Sequence, residues 1–535
     1  MKRWMIFLLL LSMCLVMMCN QSHVSEQRVQ GLIGAYYGNA DLTKIKQAEI
    51  LPDLNRYWDE ETGHGTAWSG KYEGFITAPI RGNVTFYLTS NKRAILQIGD
   101  RIVEVQGDES AGELIASMKK DAPYPITISY FHPTRDPGYL RVKWSWENQA
   151  QSSIPPENLF FTKKVASNWN WVLEPDPNTI DYGQFLKVPT QNVIVYYEPG
   201  RFCGWPANNG IWIWGDEIVV GFTLSYYQEK ELHHSKDETR PSYAVLARST
   251  NGGESWTMKD PDSFVGDGAK SSINRNPINF RHPDFALRCN SNQYFYSYDR
   301  CKTWNGPFQF PDFGGEKLTS RTDYIVNSDN ECLFFLSAEE EQVEARLQDQ
   351  AFCAHSVDGA QSFEFLSWIA QPIEIRAVMP STVRISENHL VTALRRRHDK
   401  RMSDDKPPVV KNWIDVFESM DNGKSWKFLA KVADTDLGKR NGNPPSLVRL
   451  HDGRLCVTYG YRSIPYSIRA KISDDNGRTW SKVILLRDDA RTWDIGYTRS
   501  VQRADGDIVT IYYYSTEEHK EQHIAATIWD PDSIN

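Results

Sequence analysis

The six residues DIGYTR, Asp494 to Arg499, put an acid, a phenol and a guanidinium at the entrance of an otherwise apolar strand. Burying such groups is costly unless they are paired or used, so Asp494, Tyr497 and Arg499 are read as site residues. A second stretch, HHSKDETRP (His233 to Pro241), offers two proton carriers, His234 and Asp237, ahead of Arg240. Imidazole titrates near neutral pH, and a positioned carboxyl can give or take a proton. Further polar residues recur at comparable strand entrances: Asn208 and Asn209, His282 and Asp284, Arg321 and Asp323, Asn412 and Asp415, Asn441 and Asn443. Such a ring of His, Asn, Asp and Arg suits a polyhydroxylated, acidic sugar.

The elements that must position these residues repeat. A hydrophobic strand, a Gly/Asp/Asn turn and a second strand recur at NGIWIWGDEIVVGF, DYIVNSDNECLFFL, PSTVRISENHLVTAL, PPSLVRLHDGRLCVTY and YTRSVQRADGDIVTIYY. Interleaved with them is a marker phrase, Ser-x-Asp-x-Gly-x-Ser/Thr-Trp. Its copies are STNGGESW, SYDRCKTW, SVDGAQSF, SMDNGKSW and SDDNGRTW, starting at Ser249, Ser297, Ser356, Ser419 and Ser473 and spaced 48, 59, 63 and 54 residues. That spacing is the size of one four-stranded propeller blade, and the phrase itself reads as a tight turn between strands. The last repeat has no marker after it. Its blade is therefore expected to take a strand from the start of the domain, around Val193 to Tyr197, which closes the ring at six blades, with seven as the alternative.

The chain has 535 residues, room for two or three domains, and a net charge of −8 that argues against a nucleic-acid partner. Aromatics make up 12%, with 18 Trp, which serves strand-rich cores and sugar-stacking surfaces alike. Lys2 and Arg3 precede an apolar run to Met18, the outline of a signal peptide, and Cys19 resembles a bacterial lipoprotein acceptor. The protein is thus expected to be exported, periplasmic or at the cell surface, with the membrane reached only through such an anchor. Cys203, Cys289, Cys301, Cys332, Cys353 and Cys456 lack metal-ligand spacing and are expected to be buried free thiols, with one or two disulfides as the alternative; no cofactor or metal is expected.

Residues 30–162 show period-two runs broken by Gly, Asn-Lys and Pro, at GLIGAYYG, WSGKYEGFITAPIRGNVTFYLTSNKRAILQIGDRIV, YPITISYFH, YLRVKWSW and IPPENLF. At these landmarks the segment resembles a PA14 domain, a β-sandwich or barrel often carried by glycosidases. Calcium-dependent members use an Asp-Asp pair where this chain has Ser90-Asn91-Lys92-Arg93. The resemblance therefore implies either a spacer or a weak sugar binder.

Residues 166–535, with their marker phrases, resemble the sialidase superfamily of BNR or Asp-box propellers, which makes the whole chain an all-β protein. The resemblance implies a Tyr nucleophile, a Glu that activates it, an Asp acid in a first-blade loop and three Arg for the substrate carboxylate. A neutral phenol can approach an anomeric carbon that bears a carboxylate, where an anionic nucleophile is repelled. By position it makes Tyr497 the nucleophile, with Gly506 nine residues on. It makes Asp237 the acid, with His234 as a second proton carrier, and Arg395 and Arg462 the second and third arginines, with Arg469 competing for the third place. Two positions depart from the pattern. Trp205 stands where the first Arg would fall, leaving Arg201 four residues earlier, and Met379-Pro380 replaces Glu-Pro, leaving Glu374 as the nearest acid. The expected activity is that of an exo-acting glycoside hydrolase on an acidic sugar, sialic acid or a relative. A uronic-acid polysaccharide lyase and a non-catalytic glycan-binding protein are the alternatives.

Overall fold

The computed structural model describes residues 28–534 apart from 59–66, 108–109, 135, 231–232, 260–263, 265–269, 314–316, 340–348, 372–374 and 439–440. The signal segment, Cys19 and Glu374 lie outside the described residues. The chain is nearly all strand and forms two compact units, Met1–Leu173 with Lys400–Val409, and Glu174–Asp399 with Val410–Asn535.

In the first unit one sheet runs Arg28–Gln30, Leu159–Thr162, Trp68–Ile76, Tyr124–His132, Arg93–Ile98, Arg101–Gln106, with Leu32–Tyr37 and Ile45–Leu51 attached. The other runs Gln149–Ser153, Gly138–Trp146, Gly82–Ser90, Ser110–Met118, with Asn55–Trp58 at one side. Strands such as Gly82–Ser90 bury every second residue, and Val84, Phe86 and Leu88 share one core with Trp68, Tyr72 and Ile76 of the opposite sheet. The Lys92 ammonium bonds the Thr134 hydroxyl at 3.0 Å and pairs with the Asp136 carboxylate. The unit extends past residue 162. Thr162 caps the helix Lys163–Asn168, and Ala166 and Trp169 pack beside Ile33, Ala35 and Phe161. The strand alternation ends at Thr162, but the apolar face that follows still needs this core, so the second unit begins at Glu174 rather than at 166.

The second unit is a series of antiparallel groups. Thr190–Tyr196 joins His523–Trp529, Ile508–Tyr514 and Gly496–Gln502 in one sheet, with Val193 opposite Ala526, so a strand near the start of the unit and its last strand are hydrogen-bonded neighbours. Next come Arg201–Gly204 and Ile211–Trp214, both on Glu217–Tyr226, then Tyr243–Ser249 and Thr257–Lys259. Ala286–Asn290, Gln293–Ser297 and Asn305–Gln309 form a third group. A nine-stranded sheet holds two more, centred on Cys332–Glu339 with Gln350–Ser356 and on Leu390–Lys400 with Val409–Ser419, joined by one parallel bridge between Gln350 and Ala377. Ser446–Arg449, Leu455–Tyr461, Ser467–Ser473 and Ile484–Arg487 make the last, with the short strand Leu186–Lys187 paired in parallel to Ile484–Arg487. Middle strands such as Ile508–Tyr514 are buried on both faces, so they read as continuous apolar runs.

All five marker phrases are turns of one construction. The first Ser donates to the Asp or Asn two residues on and accepts the amide four residues on, as from Ser473 to Asp475 and from Gly477 to Ser473, both 2.8 Å. The same carboxylate takes the Thr479 amide at 2.9 Å and hydroxyl at 2.6 Å. Two successive residues are left-handed, Asn476 with φ +57° and Gly477 with φ +92°, the backbone that favours Asn-Gly. All six cysteines of the second unit are free and buried.

Candidate functional site

The strand Gly496–Gln502 opens in a strained way. Gly496 has φ +102° and Tyr497 φ +51°, a left-handed backbone that costs a large residue about 1–3 kcal/mol unless its surroundings impose it. Asn443 imposes it. Its carbonyl oxygen accepts the Tyr497 amide at 2.8 Å, and its amide group donates to the Ile495 carbonyl at 2.9 Å. A Cβ on Gly496 would stand 2.4 Å from that amide, so the close approach requires glycine. Two more left-handed residues, Trp205 with φ +59° and Met379 with φ +54°, pack against the same core cluster as Tyr497. Outliers that gather in one place point to function more strongly than scattered ones.

Cations surround the Tyr497 phenol. Arg395 donates to its oxygen at 3.1 Å, and the Arg462 guanidinium carbon stands 5.4 Å from the ring centroid. Burial pushes the phenol up, but the charges of Arg395, Arg462 and Arg376 outweigh it and hold the group below the ordinary tyrosine value of 10.0. Arg395 is itself pushed down to about 10, by burial and then by the neighbouring cations Arg376, Arg462 and Arg397, against the pull of Tyr497. Its other bonds go to the Met379 sulfur at 3.9 Å and the Asn441 carbonyl, while its buried Nε has no partner among the described residues. Arg376 pairs with Asp349 at 2.8 Å and stands directly across the strand pair from Arg397. Each of the two carries its own carboxylate partner, Arg397 bonding Asp399 at 2.7 and 2.9 Å.

Arg462 faces the protein rather than a ligand. Fully buried, it donates to the Ile495 carbonyl at 3.1 and 3.0 Å, the Gly442 carbonyl at 3.0 Å and the Tyr513 hydroxyl at 2.5 Å. It therefore holds up the strand entrance and lends its charge to Tyr497. Tyr513 passes the connection on, donating at 2.6 Å to Asp494.

Asp494 is buried and orients His234. Its carboxylate meets His234 Nδ1 at 2.6 Å and accepts the Ser235 amide at 3.0 Å. Burial pushes this carboxyl up; the charge and hydrogen bond of His234, the charge of Arg462 and the Tyr513 bond outweigh it and hold the group below its usual value of 3.8. Trp205 meets the His234 ring edge-on at 5.2 Å and Trp493 flanks it at 5.8 Å. With Nδ1 engaged, Nε2 is the nitrogen left for proton transfer.

The other sequence-predicted residues are placed differently. Asp237 turns back on its own loop and accepts the Thr239 amide at 2.9 Å and hydroxyl at 2.6 Å, bonds that hold its carboxyl low. The loop thus delivers His234, not Asp237, to Asp494. Arg201 bonds the Ser225 carbonyl at 2.7 Å and lies over Tyr226 at 4.4 Å. Arg469 lies over Tyr461 at 3.5 Å and bonds Ser467 at 2.8 Å. Asp415 pairs with Arg396 at 3.4 Å. Asp323 bonds Thr382 at 2.7 Å, its carboxyl pushed up to about 7 by burial. Arg499 donates to the Ala207 and Thr322 carbonyls at 2.7 and 2.8 Å. Asn209 accepts from Arg288 at 3.0 Å. Asn209 and Arg321 line a separate cavity of about 240 Å³.

Sequence reasoning missed Arg376 and Tyr513. Arg376 lies three residues before Met379, the position that departs from the sialidase pattern, and that departure was the available signal. Tyr513 lies inside an apolar run and carries no signal of its own. Among the described residues no group of three or more His, Cys, Asp or Glu is arranged to hold a metal ion.

The sequence matches the family model described as a BNR repeat-like domain over residues 289–510. It is 25% identical over 143 residues to anti-sigma-I factor RsgI3 of Acetivibrio thermocellus, a match covering 25% of this chain and 22% of that protein. The chain thus spans less than a quarter of the length of that relative. Among solved structures, a protein of unknown function from Dyadobacter fermentans is 19% identical with a TM-score of 0.48, covering 64% of this chain and 99% of its own. The NanB sialidase from Streptococcus pneumoniae is 10% identical with a TM-score of 0.39, over 90% of this chain and 98% of its own. The Epa9A adhesin domain from Candida glabrata, solved with a Galb1-3GlcNAc disaccharide, is 10% identical with a TM-score of 0.22 over 25% of this chain.

Proposed function

We propose that the second unit is a six-bladed, sialidase-like propeller and that the protein is an exported glycosidase acting on an acidic sugar of a glycan. The BNR match and the six antiparallel groups, closed by the pairing of Thr190–Tyr196 with His523–Trp529, support the propeller. The observation that carries the activity is the Tyr497 phenol, held under Arg395 and Arg462 beside the Asp494–His234 pair. In this reading the Tyr497 oxygen attacks the anomeric carbon while the His234 imidazolium gives its proton to the departing glycosidic oxygen. Water then displaces the tyrosine and His234 takes back the proton, so both steps balance. Arg395 and Arg376 hold the sugar carboxylate. The surrounding arginines lower the phenol's pKa and so supply the activation that the missing Glu-Pro acid would have given. The first unit, read as PA14-like, serves as a glycan-binding accessory or spacer.

One observation favours a second reading. Among the described residues no carboxylate bonds the Tyr497 hydroxyl, and a phenol whose pKa is lowered by arginines is also a fitting base for removing a proton beside a uronate carboxylate. A lyase would therefore use the same residues.

The deciding experiment incubates the protein with sialosides, uronate polysaccharides and host glycans and reads products by mass spectrometry and ultraviolet absorbance. A saturated acidic sugar, released by the native protein and not by Tyr497→Phe, supports the hydrolase. Unsaturated, absorbing products support the lyase. Turnover unchanged in Tyr497→Phe overturns both.

A further inference from the structure

The cavity that holds Asn209 and Arg321 has the makings of a second sugar site. It is lined by Asn208, Asn209, Thr223, Ser242, Arg288 and Arg321, with the half-exposed Tyr243 ring and Asn290 completing it. At about 240 Å³ it falls below the ~300–1,000 Å³ of clefts that take drug-sized ligands, a size for one small ring. The two charged side chains among these residues are both arginines, and the rest of the polar lining is amides and hydroxyls, groups that pair with sugar hydroxyls. Arg288 is buried against the Phe264 ring at 4.2 Å, with Asn209 accepting from it at 3.0 Å. A second cavity of about 430 Å³ shares Arg321 as a lining residue and brings Lys317, Asp312, Asn292 and Gln309.

The cavity is tied to the Tyr497 cluster by short pieces of chain. Trp205, which contacts His234, is the N-terminal cap of the helix Pro206–Asn209 that supplies the Asn208 and Asn209 wall. The loop carrying His234 runs directly on to Ser242 and Tyr243. Arg499, on the same strand as Tyr497, bonds the carbonyls of Ala207 and Thr322, the residues next to Asn208 and Arg321. One strand therefore sets both places.

We propose that this groove is a subsite for a second anionic sugar next to the one that is cleaved, so that the substrate is an acidic oligosaccharide rather than a single acidic sugar on a neutral carrier. The inference rests on the Tyr497 reading for the position of cleavage, but not for binding. The anion is a carboxylate or a sulfate ester, the common chemistry being an oxyanion on a sugar ring facing guanidinium groups.

The test measures binding by calorimetry on the full chain carrying Tyr497→Phe, which removes turnover from the readout. The probes are galacturonate mono- to tetrasaccharides and sulfated disaccharides and tetrasaccharides. Affinity that rises with length, and falls about tenfold in Arg321→Gln for the longer probes while the monosaccharide is unaffected, supports the subsite. Asn208→Ala, at a half-buried position, should give a smaller loss of the same pattern. A response to uronates identifies a carboxylate, and one confined to sulfated probes identifies a sulfate. Affinity that is independent of length, or independent of Arg321 for every probe, overturns the proposal. Failure of the Tyr497 reading would appear separately, as turnover by Tyr497→Phe in the product assay.

Discussion

In a marker turn such as Ser473–Trp480, the carboxylate, both hydroxyls and the central amide find their partners within eight residues. Around Tyr497 the partners come from 54, 102 and 260 residues away: Asn443 to the Tyr497 amide, Arg395 to its phenol and His234 to Asp494. The turn is satisfied, and the Thr479, Ser473 and amide bonds outweigh burial to hold Asp475 at about 2. The cluster stays strained at Tyr497, Met379 and Trp205, and a buried Arg395 nitrogen has no partner among the described residues. Left-handed residues occur in both places. In the turn at Ser473 Asn476 and Gly477 take them cheaply, although in the turn at Ser297 Arg300 and Cys301 do so; at the cluster three large apolar or aromatic side chains take them and the rest of the unit must compensate. Strain and incomplete pairing therefore mark the place where a ligand has something to gain.

The largest test of that contrast is His234→Ala, which should lower kcat by about 10²–10³ and also lower the melting temperature, because the buried Asp494 carboxylate loses its nearest partner. A kcat within a few-fold of the native value would detach His234 from proton transfer. Asp494→Ala should destabilise by about 3 kcal/mol, since His234, the Ser235 amide and Tyr513 lose a common buried partner. Urea unfolding measures this, and a loss as small as that of a marker-turn variant would erase the distinction between the two regions.

Arg395→Met tests the electrostatics. A native phenol below its ordinary value contributes stability that is fully present above pH 10 and is lost as pH falls through the native value. Removing the Arg395 charge should move the tyrosinate absorbance titration to higher pH and cut the neutral-pH rate about tenfold or more. An unmoved titration would mean that Arg462 and Arg376 suffice. Asp475→Ala is the smallest expected effect, about 1 kcal/mol with kcat unchanged. In the native protein the Asp475 contribution is present above the ordinary carboxyl value of 3.8 and fades as pH falls toward 2, so native and variant stabilities should converge under acid.

Much of this was legible in the chain. The five phrases announced tight turns, and the missing sixth marker announced a shared first and last sheet, which the pairing of Val193 with Ala526 provides. The polar residues at the strand entrances were visible too, but not their roles. Asp237 and His234 share one loop, and only the fold shows that Thr239 holds the first while Asp494 holds the second. Arg462 reads as a ligand for substrate, yet its donors are taken by the Ile495 and Gly442 carbonyls.

What the sequence determined by itself is whatever depends on neighbours along the chain: the strand periodicity, the five marker turns and the acidic net charge. Those features rest on backbone preferences and on hydrogen bonds closed within a few residues. The tertiary structure alone decided which charges meet. Whether a buried arginine grips a ligand, braces a strand or lowers the pKa of a phenol depends on distances between residues far apart in sequence and on how much water their packing excludes, and a linear chain records neither.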